Sequence, residues 1–185
     1  MAASKDRKHT VVALVEDKPG VLNRVVSLFR RRGFNIVSLT VGPSEMPGLS
    51  RLTIVVGGDT VSIEQVVKQL YKLIEVVKVN DLSDDEMIAI ELALVKVHAT
   101  ASTRGEIMQL TEIYKARIVD VSLDSLVVEI AGTEDKIDSL LVLLRPFGLK
   151  EIVRTGRIAM SRGGNAMQLE EAIPVDGAAF RNRRN

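Results

Sequence analysis

The chain has 185 residues, 46% apolar and 26% charged, with 25 Lys and Arg against 24 Asp and Glu for a net charge of +1. That balance excludes a disordered chain and gives no overall pull toward nucleic acid or an anionic membrane. With no Cys, disulfides and thiolate chemistry are excluded, and His9 and His98 are too few for a His-rich metal site within one chain. Aromatic residues make up only 3%, so the core is expected to be aliphatic and nucleic-acid bases would find few stacking platforms. No apolar run reaches the roughly 18 residues that span a bilayer. The polar start Met1-Ala2-Ala3-Ser4-Lys5-Asp6-Arg7-Lys8 lacks an apolar h-region. The expectation is a cytoplasmic protein, or a plastid or mitochondrial one from which a transit peptide has been removed.

His9 to Glu16 alternates and is rich in Val and Leu, which predicts a strand. Asp17-Lys18-Pro19-Gly20 breaks it. Pro19 suits a helix's first turn, and Asp17 is placed to serve the N–H groups there. Val21, Leu22, Val25, Val26, Leu28 and Phe29 follow at helical spacing, Arg30-Arg31-Arg32 suits the macrodipole at the helix end, and Gly33 suits the residue beyond it. This predicts a helix over about 19–32. Ile36 to Gly42 and Leu49 to Val56 predict a hairpin around the turn-rich Pro43–Gly48, with Val37, Leu39 and Val41 on one face and Leu52, Ile54 and Val56 on one face. A second helix carries Ile63, Val66, Val67, Leu70 and Leu73, and Val76 to Leu82 is a short strand.

Strand, helix, strand, strand, helix, strand is the ferredoxin-like βαββαβ order, with two helices on one face of an antiparallel sheet. The other face is expected to be exposed and to want a partner. The pattern then repeats. Glu91 to Thr100 predicts a strand, and Thr103 to Lys115 a helix with Ile107, Leu110, Ile113 and Tyr114 inward. Arg117–Ser122 and Leu126–Ile130 predict a hairpin. A helix with Ile137, Leu140, Leu141 and Leu144 inward follows, then a strand from Lys150 to Ser161. The fold class is thus α+β, with two tandem ferredoxin-like units over 1–82 and 91–162, a linker over 83–90 and a mobile tail over 163–185.

Catalytic signatures are missing: there is no Gly-x-Ser-x-Gly, no P-loop and no Gly-x-Gly-x-x-Gly. His98 reads as a core or interface histidine, the acidic run Asp81, Asp84, Asp85, Glu86 as a solvated linker, and Arg30–Arg32 as a solvated helix end. An RNA-binding sheet would need aromatic residues on its face, and the first two strands carry none at the matching positions. Asp17-Lys18-Pro19-Gly20-Val21-Leu22 is different. It joins a strand to a helix N-terminus, whose first N–H groups lack intrahelical acceptors and suit a carboxylate. Gly20 lets a small ligand approach the backbone, Asp17 can meet an ammonium, and Asn35 offers a donor and an acceptor. The residues alone leave two readings open, a site for a free amino acid or plain helix capping with a turn Asn.

Asp17-Lys18-Pro19-Gly20-Val21-Leu22 within a βαββαβ unit resembles the ACT domain, a regulatory amino-acid-binding module. Further blocks resemble the small, regulatory subunits of acetolactate synthase (acetohydroxyacid synthase). These are Arg32-Gly33-Phe34-Asn35-Ile36-Val37-Ser38-Leu39-Thr40-Val41, Leu49-Ser50-Arg51-Leu52-Thr53-Ile54, Thr111-Glu112-Ile113-Tyr114 and Arg154-Thr155-Gly156-Arg157-Ile158-Ala159-Met160-Ser161-Arg162-Gly163. The resemblance implies a chain without catalytic or metal-binding residues and without a cofactor of its own. Its partner would be a catalytic large subunit using thiamine diphosphate, Mg²⁺ and FAD. It implies activation of that subunit and feedback inhibition by valine, or by leucine or isoleucine, in branched-chain amino-acid biosynthesis. An amino-acid-responsive regulator of another metabolic enzyme is the alternative. Homodimers of ACT domains are implied, with the effector in clefts between protomers. Asp17, Gly20, Val21 and Leu22 would take the effector, and Asn35 and Ile36 would close the cleft from the partner chain. Asp17 stands where many members have Asn, and Gly42 where many have Ala. A bulkier residue at Gly42 would be expected to crowd the site.

Overall fold

The computed structural model of the chain describes residues 8–58, 60–164 and 167. It divides into two compact units, one of residues 1–88 and 160–185, the other of residues 89–159.

In the first unit β1 (Lys8–Glu16), α1 (Val21–Arg32), β2 (Asn35–Pro43), β3 (Leu49–Gly57), α2 (Thr60–Leu70) and β4 (Val76–Asp81) follow the expected order. The sheet runs β2-β3-β1-β4 and its recorded pairings are antiparallel. Val11, Ala13, Val15, Leu52, Ile54 and Val56 face Val21, Val25, Leu28 and Phe29 of α1 and Ile63, Val66 and Leu70 of α2 in one aliphatic core. Burying each of the Val, Leu, Ile and Phe side chains among these contributes roughly 1.5–3 kcal/mol, which outweighs the modest strand and helix preferences of the individual residues.

Three expectations change here. First, α1 starts at Val21, not Pro19. Gly20 has φ 89° and ψ −12°, and the Val21 N–H donates to the Lys18 carbonyl at 3.3 Å. With Pro19 second and Gly20 third, this is a type II turn preceding the helix. Asp17 is thereby held back from the first helical turn, and its carboxylate caps nothing among the described residues. Second, Val37, Leu39 and Val41 do not share one buried face. The β2–β3 register shifts between Ile36 and Ser38, so Ile36 and Leu39 both pack on the core and Val37 is left 45% exposed. Third, the sheet face away from the helices is not exposed. Thr10, Val12, Leu14, Thr53 and Val55 are all buried. The chain returns to this unit after Ala159, and Met167, itself buried, reaches Arg51 on that face.

The second unit contains most of β5 (Met87–His98), then α3 (Arg104–Ile113), β6 (Arg117–Val121), β7 (Ser125–Gly132), α4 (Glu134–Leu144), a 3₁₀ turn at Arg145–Phe147 and β8 (Leu149–Arg154). The sheet order is β6-β7-β5-β8, with β9 (Ile158–Ser161) beside β5. Ala93, Val95, Val97, Leu126, Val128 and Ile130 face Ile107 of α3 and Ile137, Leu140 and Leu144 of α4. The strand expected from Lys150 to Ser161 is broken at Thr155-Gly156-Arg157, where Gly156 takes φ 78°. Ile113, expected inward, is 73% exposed. It lies six residues from Ile107, about 240° around an α-helix, and Thr111 is buried instead, its hydroxyl donating to the Ile107 carbonyl. On the far sheet face Leu94 and Val153 are exposed beside the Lys96–Glu151 and Arg117–Glu129 ion pairs.

No helix among the described residues is long and apolar enough to cross a membrane. Of the expected tail, Gly163, Gly164 and Met167 are described; the rest lies outside the described residues.

Candidate functional site

Asp17, Lys18, Pro19 and Gly20 are all exposed at the end of β1. Lys18 Nζ pairs with Glu16 Oε2 at 2.7 Å, and the Asp17 carboxylate has no partner among the described residues. The loop's backbone is fixed from two sides: the Glu16 N–H donates to the Glu75 carbonyl at 2.9 Å, and the Asp17 N–H to the Gly48 carbonyl at 2.8 Å. The second contact was not legible from residue types. Gly48 closes the β2–β3 loop with φ 78°, a conformation glycine adopts at little cost, and this aims its carbonyl at Asp17.

At the start of α1 the Arg24 N–H reaches the Gly20 carbonyl, and the Val21 N–H is used within the turn. The N–H groups of Gly20, Leu22 and Asn23 have no acceptor among the described residues. Asn23 was missed in the sequence because the start of α1 was set two residues early. These three donors at the positive end of a 12-residue helix, with the Asp17 carboxylate in the loop that precedes them, offer opposite charges to the two ends of a zwitterion. The Leu22 side chain is 43% exposed, while Val21 is buried in the core.

Across the loop, Arg51 Nη2 donates to both carboxylate oxygens of Glu45 at 3.0 Å each. Hydrogen bonding with the Glu45 backbone, then with the Arg51 guanidinium, holds the Glu45 carboxyl below its ordinary value. Ser44 adds a local clasp, its N–H donating to the Leu49 carbonyl and its Oγ accepting from the Met46 N–H.

The structure does not bring Asn35 and Ile36 to this loop. Asn35 stands opposite Gly57, and Glu16 opposite Leu49. Counted along β3 at about 3.3 Å per residue, the two ends are about 26 Å apart. Asn35 is exposed at the far end of an edge strand, and Ile36 packs on its own core. A Cβ at Gly42 would meet nothing within 4 Å in this chain. His98 is half-buried in β5, and the Asp81 carboxylate accepts from the Ser83 N–H.

Residues 12–78 match the family model "AHAS small subunit-like ACT domain", and residues 90–163 match "Small subunit of acetolactate synthase". The chain is 56% identical over 156 residues to the probable acetolactate synthase small subunit of Archaeoglobus fulgidus, covering 84% of this chain and 98% of that one. This chain belongs to the acetolactate synthase small-subunit family. The small subunit of Mycolicibacterium smegmatis is 50% identical over 155 residues, 84% of this chain and 91% of the relative. The crystal structure of the small subunit from Thermotoga maritima superposes with a TM-score of 0.80 at 47% identity, covering 86% of this chain and 99% of that chain. The α+β architecture of paired βαββαβ units is therefore that of the family. The Asp17–Leu22 loop lies in its ACT domain, and the family's name implies a large subunit as partner.

Proposed function

We propose that this chain activates the catalytic large subunit of acetolactate synthase and makes it sensitive to valine, while performing no chemistry itself. The reaction would belong to the large subunit with its thiamine diphosphate, Mg²⁺ and FAD. The observation that carries the reading is the separation of the two half-sites: the exposed loop at Asp17–Gly20 with the start of α1, and the exposed Asn35, lie at opposite ends of the edge strand β2.

A two-fold axis through the middle of β2 would set two copies side by side and antiparallel. Asn35 of each would then approach the Asp17 loop of the other, giving two equivalent crevices. The unpaired backbone edge of β2 favours such pairing, as do the exposed Val37 and Val41 on β2 and Leu22 and Val26 on α1. In each crevice the amino-acid carboxylate would accept from the Gly20, Leu22 and Asn23 N–H groups. The ammonium would face Asp17. Burying the isopropyl group against Leu22 would contribute about 1.5–3 kcal/mol.

An effector held by two copies favours the pair arrangement that closes the crevice. If the large subunit binds the other arrangement better, valine inhibits by linkage, with a coupling of about 1–3 kcal/mol. The test is reconstitution with a cognate large subunit in the cytoplasmic setting proposed for the complex. Acetolactate formation should rise on adding this chain and fall again with valine, and the chain alone should elute as a dimer. No change in rate on adding the chain would overturn the activating role, and a valine-insensitive complex the regulatory one.

A further inference from the structure

Arg51 lies between two parts of the molecule that the sequence keeps far apart. It is on β3, opposite Leu14 and Gly42, and points to the sheet face away from the helices, together with Thr53 and Val55. Its two terminal nitrogens have separate partners. Nη2 holds both oxygens of Glu45, in the loop whose last residue, Gly48, accepts the Asp17 N–H. Nη1 donates to Met167 Sδ at 3.8 Å. Met167 follows the second unit in the chain but belongs to the first, and it is 8% exposed. The returning segment is pinned beforehand by the Arg162 N–H, which donates to the Glu86 carbonyl at 2.8 Å.

We propose that Arg51 is a positioning residue for the amino-acid crevice and that Met167 sets its aim, so that the segment returning from the second unit tunes effector affinity. The inference rests on the amino-acid reading of the Asp17 loop and adds a control point to it. The physical path is short. Met167 is a polarisable side chain that fills irregular space and offers a weak acceptor to a guanidinium. Seated on the sheet face, it limits the orientations of Arg51. The constrained guanidinium grips Glu45, the gripped loop fixes the Gly48 carbonyl, and that carbonyl fixes Asp17. Loosening Met167 lets Arg51 rotate, and the Asp17 backbone then loses its fixed place ahead of α1. Preorganised contacts bind more tightly because less ordering remains to be done on association.

The test is calorimetric titration of the full-length chain with valine, leucine and isoleucine, accompanied by thermal melts. Met167→Ala should weaken binding of the effector about threefold to tenfold. Met167→Leu, which keeps the volume, should stay within about twofold, whereas Arg51→Lys, whose single nitrogen cannot hold Glu45 and meet Met167 at once, should weaken binding about as much as Met167→Ala. Met167→Glu offers Arg51 a rival carboxylate and should weaken binding more than Met167→Ala. Glu45→Gln should weaken binding also, and combined with Met167→Glu it should add little, because both act through one guanidinium. A role confined to stability would lower the melting temperature without moving the affinity. Affinities unchanged in the Met167 variants, or effects at 45 and 167 that multiply independently, would overturn the tether alone. Failure of the unsubstituted chain to bind any of the three amino acids would overturn the amino-acid reading and the tether with it.

Discussion

In the first unit the strand-to-helix loop ends in Pro19-Gly20 and leaves the Gly20, Leu22 and Asn23 N–H groups without an acceptor among the described residues. At the matching place in the second unit Thr100, Ser102 and Thr103 close on one another. The Thr100 N–H donates to Thr103 Oγ1 at 3.0 Å, the Thr103 N–H to Thr100 Oγ1 at 3.3 Å, and the Arg104 N–H to the Thr100 carbonyl. The match is fixed by the strand irregularities, which recur at one common offset: Ile36/Ser38 answers to Ile118/Asp120, and Leu14/Val15 to Lys96/Val97. By that offset Asn35 corresponds to Arg117. Asn35 is exposed and its amide has no partner among the described residues, whereas Arg117 is locked to both oxygens of Glu129 at 2.8 Å. One architecture thus holds two versions of the same pair of places, one open and one whose loop hydroxyls and edge cation are engaged within the chain, although the Ser102 and Gly105 N–H groups there also lack an acceptor among the described residues. The fold places the loop and the edge residue; the residue types decide whether they are left for a ligand.

The harshest way to break the contrast is Gly20→Asp. It places a side chain at φ 89°, where an L-residue is strained by about 1–2 kcal/mol, and sets a second carboxylate beside the group that should receive one. Valine affinity should fall by at least about tenfold, since 1.4 kcal/mol is a decade. Calorimetry that shows affinity within twofold of the unsubstituted chain would remove Gly20 from the site.

Next in size is Asn35→Ala, which deletes one hydrogen-bonding group worth about 1 kcal/mol, or roughly fivefold in effector affinity. Its counterpart Arg117→Ala should leave valine binding where it was. If inhibition curves of the reconstituted complex respond equally to both, the two units are not divided in the way proposed. Thr103→Ala probes the closed loop directly. It removes the acceptor of the Thr100 N–H and should cost about 0.5–1.5 kcal/mol of stability, a few degrees in Tm, without touching valine binding. A variant that melts unchanged would show that the hydroxyl clasp does little.

Much of this was legible in the sequence, for identifiable reasons. The apolar stripes Val25/Leu28/Phe29 and Ile137/Leu140/Leu144 have helical period, and the faces Leu52/Ile54/Val56 and Ala93/Val95/Val97 have period two; burial enforces both. Gly33 marked the end of α1 because its φ of 72° favours glycine. The end of α3 was harder to read, since Lys115 takes the positive φ of 50° with no glycine to announce it. The Pro19-Gly20 pair was visible and was assigned to the helix, although proline followed by glycine also defines a type II turn. The bulge at Val37 left no trace in residue type, and with it went the correct facing of Val37. On the second sheet face Arg51 has a partner more than a hundred positions away, Met167, which no local pattern reports. The half-site geometry was beyond periodicity as well, because only the strand register shows Asn35 and Asp17 at opposite ends.

The smallest effect sharpens the comparison at the edge strands. The hydrogen bond from Arg117, helped by its charge and opposed by slight desolvation, holds the Glu129 carboxyl below its ordinary 4.5. A carboxylate with a depressed folded pKa binds fewer protons folded than unfolded. Its stabilising contribution is therefore complete above pH 4.5 and disappears as the pH falls through the folded value. Because Arg117 is exposed and Glu129 only half-buried, the contribution is small and screened by salt. Glu129→Gln should accordingly lower Tm slightly at about pH 6 and by less at about pH 3, with the difference shrinking in high salt. Asn35→Ala, at the matching position with no charge to titrate, should show no such pH dependence. Equal shifts for Glu129→Gln at both pH values would mean that the carboxylate acts by packing rather than by charge, and the Arg117 pairing would then no longer explain why this unit's edge is closed.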